Sequence, residues 1–367
     1  MRFSVARDSL LKPLQLVAGV VEKRQTYPVL ANVMVALEGT QLSLTGTDLE
    51  VEVIGRVNLE EPGVDGEITV PAKKFLDICK NLPDNSQVEF VLKDQKVTVT
   101  SGRSRFTLST LSASEFPNIE LGENDLSFSC EQHEIRRLIE RTSFAMAQQD
   151  VRYYLNGMLL ELQTGVMRVV ATDGHRLALC ARPVNIEIED TKQAIIPRKG
   201  VLELARLLSD PEKSVDVVLG NNHLRAVTES FVFTSKLVDG KFPDYERVLP
   251  DSGDKVMIGS RDQLKHAFTR ASILSNEKYR GVRFVLTSGL LTLTANNPEQ
   301  EEAEEKVSVD YEGSEIEVGF NISYLQDVAN VIDSENLKIT LADTNSSALI
   351  EQPDNSDSLY VVMPMRL

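Results

Sequence analysis

The fold is decided by the stretch Met167-Arg-Val-Val-Ala-Thr-Asp-Gly-His-Arg-Leu-Ala-Leu179. Apolar residues alternate on both sides of Asp173-Gly174, a pattern that predicts two strands joined by a tight turn. The stretch Leu42-Ser-Leu-Thr-Gly-Thr-Asp-Leu-Glu-Val-Glu-Val53 matches it closely, and Leu291-Thr-Leu-Thr-Ala-Asn-Asn-Pro-Glu-Gln300 matches it more loosely. The hairpin therefore belongs to a unit that occurs three times along the chain.

The elements around the hairpin recur in the same order. Each copy begins with a short strand and a helix, and a second helix and further alternating strands follow the hairpin. The six predicted helices cover residues 7–20, 72–81, 131–141, 198–208, 261–271 and 322–332. This order predicts an α+β fold of three repeated domains, each with two helices packed on antiparallel sheet. The predicted domains are 1–120, 126–246 and 252–367, with polar linkers near 118–125 and 244–254.

Composition excludes several classes of protein. The chain has 367 residues, of which 42% are apolar and 26% charged, as in soluble globular proteins. It contains no apolar run long enough to span a membrane and no signal-peptide pattern at its start, so we expect a cytoplasmic protein without a membrane partner. Cys79, Cys130 and Cys180 are too far apart for a CxxC metal site, and we expect neither a metal nor any other cofactor.

The distribution of charge favours a positively lined channel. The six predicted helices carry a formal charge of +6 in total, which leaves −22 for the remainder of a chain whose net charge is −16. Amphipathic helices often carry Lys and Arg, so this observation alone is ambiguous. If all helices line one concave face at a spacing of about 10 Å, six enclose a bore of about 9 Å and twelve one of about 28 Å. Since the DNA major groove alone is about 12 Å wide, only a ring of two chains admits a duplex.

Closure of such a ring requires the first domain of one copy to meet the third domain of the other. The segment Ser101–Phe106 is basic with an apolar tip, whereas Glu299–Glu305 is strongly acidic. An acidic run is otherwise typical of a solvated surface, and a stable interface also needs an apolar centre. The predicted dimer interface consists of Lys74, Arg103, Arg105, Phe106, Leu108, Ile273, Leu274, Glu299, Glu301, Glu302 and Glu305.

Long segments throughout the chain carry a family resemblance. They are Leu42–Glu50, Ser101–Phe106, Gln149–Met158, Ala171–Leu177, Phe233–Tyr245, Ala295–Glu305 and Tyr360–Leu367. In these segments the chain closely resembles the bacterial sliding clamps, the β subunits of DNA polymerase III. The resemblance implies the DNA clamp fold, with an arc-shaped protomer that closes as a head-to-tail homodimeric ring around duplex DNA without sequence specificity. It implies a processivity factor whose partners are the replicative polymerase alpha subunit, the clamp-loader delta subunit, and other polymerases and repair proteins that carry a clamp-binding motif.

The resemblance also implies two sets of site residues. The residues expected to contact DNA are Arg24, Lys73, Arg137, Gln149, Tyr153, Tyr154 and Lys199. The partner groove, which would take a short peptide of a polymerase or of the loader, is expected from Arg152, Leu155, Thr172, Gly174, His175, Arg176, Leu177, Pro243, Arg247, Val248, Asn321, Tyr324, Ser347, Val361, Met363, Pro364, Met365 and Arg366. Methionine, proline and small residues form an adaptable surface that suits several partners.

Two other hypotheses start from the same residues. Asp173, His175 and Arg176 could form a catalytic cluster, but the other two copies lack the histidine and the chain has no HExxH, GxSxG or P-loop motif. We therefore expect that the chain is not an enzyme. An acidic protein–protein scaffold that never touches DNA would share the groove and lack the positive channel.

Overall fold

The computed structural model of the protein describes residues 1–22, 27–119, 124–250, 253–354 and 357–366. All six predicted helices are present, and each end lies within two residues of its predicted position. The helices are α1 (Arg7–Ala18), α2 (Ala72–Asn81), α3 (Gln132–Thr142), α4 (Arg198–Leu207), α5 (Arg261–Ile273) and α6 (Ile322–Val331). None of the helices in the described ranges is both long and apolar enough to cross a membrane.

The strands fall into the three copies that the sequence predicts. The first copy contains β1 (Arg2–Ala6), β2 (Asn32–Glu38), β3 (Gln41–Thr47), β4 (Val51–Asn58), β5 (Gly66–Pro71), β6 (Gln87–Lys93), β7 (Lys96–Ser101) and β8 (Ser104–Ser109). The second contains β9 (Asn124–Glu131), β10 (Gly157–Gln163), β11 (Val166–Thr172), β12 (Arg176–Pro183), β13 (Lys192–Pro197), β14 (Ser214–Gly220), β15 (His223–Val227) and β16 (Phe231–Lys236). The third contains β17 (Lys255–Ser260), β18 (Gly281–Thr287), β19 (Leu290–Asn296), β20 (Glu302–Ser308), β21 (Ile316–Asn321), β22 (Asn336–Leu341), β23 (Ala348–Glu351) and β24 (Ser358–Val362).

The chain forms two compact units. The first unit comprises Met1–His133 and Leu202–Leu237, and the second comprises Glu134–Val201 and Val238–Leu367. The first unit holds a four-stranded sheet in the order β1-β6-β7-β8 and an eight-stranded sheet in the order β5-β2-β3-β4-β16-β15-β14-β9. The second holds an eight-stranded sheet in the order β13-β10-β11-β12-β24-β23-β22-β17 and a four-stranded sheet in the order β20-β19-β18-β21. The strand pairs of all four sheets are antiparallel, as the α+β prediction requires.

Each eight-stranded sheet joins strands from two successive copies. The join is the pair β4–β16 in the first unit and the pair β12–β24 in the second. Each compact unit thus contains part of the predicted middle domain, and the boundaries of the three predicted domains stay a prediction. The boundary residues at positions 120, 252 and 367 lie outside the described part of the chain.

Helix α1 packs directly on the sheet of the first unit. Its residues Leu10, Leu14 and Val17 are fully buried at helical spacing. Glycines on the facing strands permit the close approach, because a Cβ on Gly55 would lie 2.8 Å from the Pro13 Cβ and one on Gly46 would lie 2.4 Å from the Val17 carbonyl oxygen. The repeated hairpin therefore serves first as the platform for a helix.

Candidate functional site

The turn at residues 172–176 is held by its own side chains. The Asp173 Oδ1 atom accepts hydrogen bonds from the backbone N–H groups of His175 and Arg176, at 2.9 and 3.1 Å. The Thr172 hydroxyl accepts from Gly174 N–H at 3.1 Å and donates to the Arg176 carbonyl at 2.6 Å. Gly174 has φ +88°, a conformation that glycine adopts without steric cost. The aspartate therefore caps a turn and does not face the histidine as a catalytic partner.

The first copy builds the same turn in a different setting. Asp48 Oδ1 accepts from Glu50 N–H and Val51 N–H at 2.9 and 2.7 Å, and Leu49 takes φ +82°. There, however, Thr47 and Asp48 are 0% and 1% exposed, whereas Thr172 and Asp173 are half-buried. The backbone motif is thus shared, and the turn of the second copy, unlike that of the first, lines a surface groove.

The groove lies within the second unit, beside the join of β12 and β24. It encloses about 390 Å³. Leu177 on β12 lies directly opposite Val361 on β24, so two distant parts of the chain meet in its floor. Both belong to a buried apolar cluster that also contains Tyr245. The lining residues are Arg152, Tyr154, Leu155, Thr172, Gly174, Arg176, Leu177, Pro243, Asp244, Tyr245, Arg247, Val248, Ser347, Val361 and Met363.

The charged groups at the rim of the groove are paired within the chain. The Arg152 guanidinium donates to both carboxylate oxygens of Asp150, at 3.0 and 2.8 Å, and this pairing lowers the pKa of Asp150 to about 2. Arg247 pairs with Asp244 at 2.7 Å. The groove thus combines an apolar floor with a rim of arginine–carboxylate pairs, the composition expected of a site that binds part of another molecule.

Arg176 is a fixed part of the wall. Its guanidinium donates to Asp173 at 3.1 Å and to Asp327 at 2.5 Å, and it also donates to the Phe144 carbonyl oxygen at 2.6 Å. The same group lies over the ring of Tyr324, 4.4 Å from the centroid. Burial raises the pKa of Tyr324. With these partners, Arg176 shapes the groove and has little remaining capacity to bind a ligand by charge.

Comparison with known proteins places this geometry in a family. Three domains of the DNA polymerase III beta subunit match the chain in order, the N-terminal domain at residues 1–120, the central domain at 129–244 and the C-terminal domain at 246–366. The chain belongs to the DNA polymerase III beta subunit family. This confirms the resemblance that the sequence carries, and it confirms the DNA clamp fold.

Close relatives cover the whole chain. The beta sliding clamp of Pseudomonas putida is 63% identical over 367 residues, which are 100% of both chains, and that of Escherichia coli strain K12 is 51% identical with the same coverage. A crystal structure of the sliding clamp from Pseudomonas aeruginosa bound to griselimycin is 62% identical, with a TM-score of 0.98 and 100% coverage of both chains. The protein is therefore a DNA polymerase processivity factor of the sliding-clamp family, and membership of this non-catalytic family confirms that it is not an enzyme.

In this sliding-clamp family member, the lining includes most of the predicted groove residues. His175 is exposed, and its carbonyl oxygen accepts from Met363 N–H at 3.0 Å. Asn321 caps α6 by accepting from Ser323 N–H at 2.9 Å, and Met365 N–H donates to the Gly319 carbonyl oxygen at 2.9 Å. The lining set above does not include His175, Asn321, Tyr324, Pro364, Met365 or Arg366. It adds Tyr154, which was predicted as a DNA contact, and Asp244 and Tyr245, which sequence reasoning missed although they directly follow Pro243.

The predicted DNA-contacting residues occupy varied settings. Arg24 lies outside the described residues. Lys73 and Gln149 are exposed and Lys199 is half-buried, whereas Tyr154 lines the groove instead of standing free. The Arg137 guanidinium already donates to Asp357 at 3.1 Å. Tyr153 projects into solvent, with its ring centroid 5.8 Å from that of Tyr154. These roles stay predictions, and the ion pair of Arg137 lowers its expected contribution to phosphate binding.

The predicted dimer residues are exposed except for Leu108, Leu274 and Glu305. Arg103, Arg105 and Phe106 are exposed at β8, as are Lys74 on α2, Ile273 at the end of α5, and Glu299, Glu301 and Glu302 at β20; Leu274 is half-buried. Leu108 is only 6% exposed, because its side chain points into the first unit. The Glu305 carboxylate is already paired, since Arg270 donates to both of its oxygens at 2.7 Å. Leu108 and Glu305 thus have partners inside their own chain.

Within the described residues, no group of three or more acidic, histidine or cysteine side chains is arranged to hold a metal ion. Cys79 and Cys180 are free cysteines with buried side chains. The groove itself is characterised by its apolar floor and its charged rim.

Proposed function

We propose that this chain works as a homodimeric, cytoplasmic ring that encircles duplex DNA and holds DNA polymerases through the groove at the join of β12 and β24. The observation that carries the proposal is the groove itself, which is apolar, open to solvent and built on two adjacent strands. The proposed occupants are short peptides of the replicative polymerase alpha subunit, of the clamp-loader delta subunit, and of other polymerases and repair proteins.

The topology of the sheets supports head-to-tail closure. By its place in the repeat, β8 is equivalent to β16 and β24, and β20 is equivalent to β4 and β12. Two of these three pairs form joins within the chain, β4 with β16 and β12 with β24. Strands β8 and β20 each pair on one side only among the described residues. Because exposed strand edges readily pair with another chain, we infer that β8 of one copy pairs with β20 of a second copy.

The chemistry of the groove supports a peptide ligand. Leu155, Leu177 and Val361 offer apolar contact, and the arginine–carboxylate pairs at the rim can hydrogen-bond a backbone or a polar side chain. The related clamp of Pseudomonas aeruginosa has been crystallised bound to griselimycin, so a clamp of this fold binds a ligand. We propose that the groove described here is the corresponding binding site in this chain.

Retention on circular and linear DNA tests the encircling function. After loading onto a nicked circular duplex by a clamp loader, the protein should remain bound through gel filtration at about 0.15 M salt, where contacts with phosphate alone are weakened. Cleavage of the circle by a restriction enzyme should release it, because a ring slides off free ends. Linear DNA blocked at both ends by bound proteins is the control, and it should retain the ring. Equal loss from circles and from unblocked linear DNA would rule out encirclement.

Charge reversal on β8 tests the dimer interface. The double variant Arg103→Glu with Arg105→Glu should weaken dimerisation by about 30-fold, or about 2 kcal/mol, because two attractive contacts with the acidic edge become repulsive. Sedimentation velocity over a range of concentrations measures the dissociation constant. The variant Lys12→Glu with Lys93→Glu makes the same change in net charge at exposed positions away from β8. If both double variants dimerise like the unmodified protein, the β8 edge is not the interface.

A further inference from the structure

The loop between the first helix and the first hairpin strand repeats a short motif. In the second copy the loop reads Asp150-Val-Arg-Tyr153 and leads into β10. In the third copy it reads Asn276-Glu-Lys-Tyr279 and leads into β18. Both segments place a cation two residues after an Asp or Asn and a tyrosine directly after the cation. The family resemblance assigns a nucleic-acid contact to Tyr153 in the second copy and to no residue of the third.

The two segments share a side-chain cap at their first residue. Asp150 Oδ1 accepts from the backbone N–H of Arg152 at 2.8 Å. Asn276 Oδ1 accepts from the backbone N–H of Lys278 and of Tyr279, both at 3.0 Å. Such side-chain caps fix a turn locally. The tyrosines are matched in exposure as well, at 57% for Tyr153 and 58% for Tyr279.

The third loop is rigidly attached to the second unit. The Arg280 N–H donates to the Asn276 carbonyl at 2.8 Å, and the Arg280 guanidinium donates to the Ser272 carbonyl at 3.2 Å and to the Ser323 hydroxyl at 3.3 Å. Arg280 is thus turned inward and anchors the loop. Lys278 is exposed, and its Nζ atom lies 5.1 Å from the centroid of the Tyr279 ring. A cation and a phenolic hydroxyl are therefore presented side by side on a fixed turn.

We propose that Lys278 and Tyr279 form a binding site for the phosphodiester backbone of nucleic acid. The lysine supplies the charge that phosphate contacts require, and the tyrosine hydroxyl supplies a hydrogen bond to a phosphate oxygen. Neither group reads a base edge, so the contact suits a protein that moves along DNA regardless of sequence. This inference rests on the proposed function, and it adds a contact from the third copy to those expected from the first and second.

Glu277 offers a test of whether the ligand of this turn is negatively charged. It is exposed and lies in the same turn, so its carboxylate opposes an approaching phosphate. Removal of this charge should strengthen binding if the turn meets a polyanion. It should have no such effect if Lys278 and Tyr279 meet a neutral surface of a protein partner.

The experiment measures equilibrium binding of the full-length protein to a fluorescent 30-base-pair duplex by anisotropy between about 25 and 200 mM salt. Lys278→Gln should weaken binding about threefold at low salt and reduce the slope of log K against log salt by about 0.9, the value for one phosphate contact. Lys278→Arg should restore the slope. Tyr279→Phe should weaken binding about twofold at every salt concentration, and Glu277→Gln should strengthen it.

Lys93→Gln is the matched control, because it removes one exposed lysine from a strand end of the first unit. For this variant the slope of log K against log salt should equal that of the unmodified protein. If the slope of log K against log salt is the same for Lys278→Gln and Lys93→Gln, the proposed phosphate contact is wrong. This holds even if the unmodified protein is retained on circular DNA. Failure of the unmodified protein to remain on circles would instead overturn the ring, and the contact with it. Loss of polymerase-peptide binding in Lys278→Gln with an unchanged slope would identify the turn as a protein-binding surface and contradict the proposal.

Discussion

Val248→Glu should weaken the binding of a polymerase-derived peptide by at least about 30-fold, or about 2 kcal/mol. Val248 lines the groove and is 52% exposed in the free protein, so a bound peptide would cover it. The substitution removes apolar contact of about 1–2 kcal/mol, and it places a carboxylate where a bound peptide would displace its water. The folded protein should tolerate the change, because the side chain is half in solvent. Fluorescence anisotropy with a labelled peptide of the polymerase alpha subunit measures the dissociation constant.

Val64→Glu is the matched control for this experiment. Val64 is 61% exposed and belongs to the first unit, whereas the groove is built entirely from the second. The Val64→Glu variant should bind the peptide with the same affinity as the unmodified protein. The groove would be the wrong site if Val248→Glu bound the peptide as tightly as Val64→Glu. Circular dichroism of both variants should show that neither substitution unfolds the chain.

One residue difference between the two shared turns affects the rim of the groove. Leu49 and Gly174 occupy equivalent turn positions with positive φ. A Cβ on Gly174 would lie 2.9 Å from a guanidinium nitrogen of Arg152, a residue of the groove rim. A side chain at position 174 would therefore push Arg152 away and change the rim. The glycine keeps the space beside Arg152 free, whereas the first copy has a leucine in a turn whose polar residues are buried.

The order of helices and strands was predictable because it depends on patterns of apolar and turn residues that are close together in the sequence. Apolar spacing placed the helices within two residues of their ends, and the turn at Asp173-Gly174 was correctly located. The pairing of β12 with β24 was not derivable from alternation, because Leu177 and Val361 are far apart in the chain and many strands share the same pattern. The floor of the groove depends on that pairing, so the family resemblance was needed to anticipate its residues.

Formal charge was a weaker guide, because a sequence does not reveal partners within the chain. The six helices do carry an excess of cations, yet Arg137 and Arg270 are paired with Asp357 and Glu305. Such pairs reduce the charge available to bind phosphate or a second subunit. Tyr154, whose predicted contact with DNA stays a prediction, lines the groove, since the 3-10 helix Tyr153–Asn156 turns successive side chains in different directions.

A buried polar network beneath the groove links its shape to the stability of the second unit. Glu161 on β10 is 5% exposed and faces Arg168 on β11 and Gln193 on β13 as cross-strand neighbours. Its carboxylate accepts from Arg168 at 2.6 Å, from Gln193 at 2.7 Å and from the Tyr245 hydroxyl at 3.0 Å. Burial raises the pKa of Tyr245 to about 12, so this hydroxyl stays protonated and donates.

Glu161→Ala should destabilise the second unit by about 3 kcal/mol, because it removes the carboxylate that pairs with Arg168 and accepts from the Tyr245 hydroxyl. The Arg168 guanidinium then keeps the Tyr245 hydroxyl oxygen as an acceptor at 3.0 Å. This loss of stability is at the low end for a broken buried ion pair, because the Arg168 side chain is 25% exposed and can hydrogen-bond to water instead. Glu161→Gln retains the shape and an acceptor oxygen, and it should cost less. Tyr245→Phe removes the hydroxyl that donates to Glu161 and accepts from Arg168, both at 3.0 Å, and it should cost about 1–2 kcal/mol.

Differential scanning calorimetry is the appropriate measurement, because a chain with two units can unfold in more than one transition. Glu187→Ala, at an exposed position of the same unit, is the control and should change stability by less than about 0.5 kcal/mol. Tyr245 begins the 3-10 helix Tyr245–Val248 that forms one side of the groove. Glu161→Ala should therefore also weaken peptide binding at temperatures where the unit is still folded. If Glu161→Ala melts like Glu187→Ala and binds the peptide normally, the network does not support the groove.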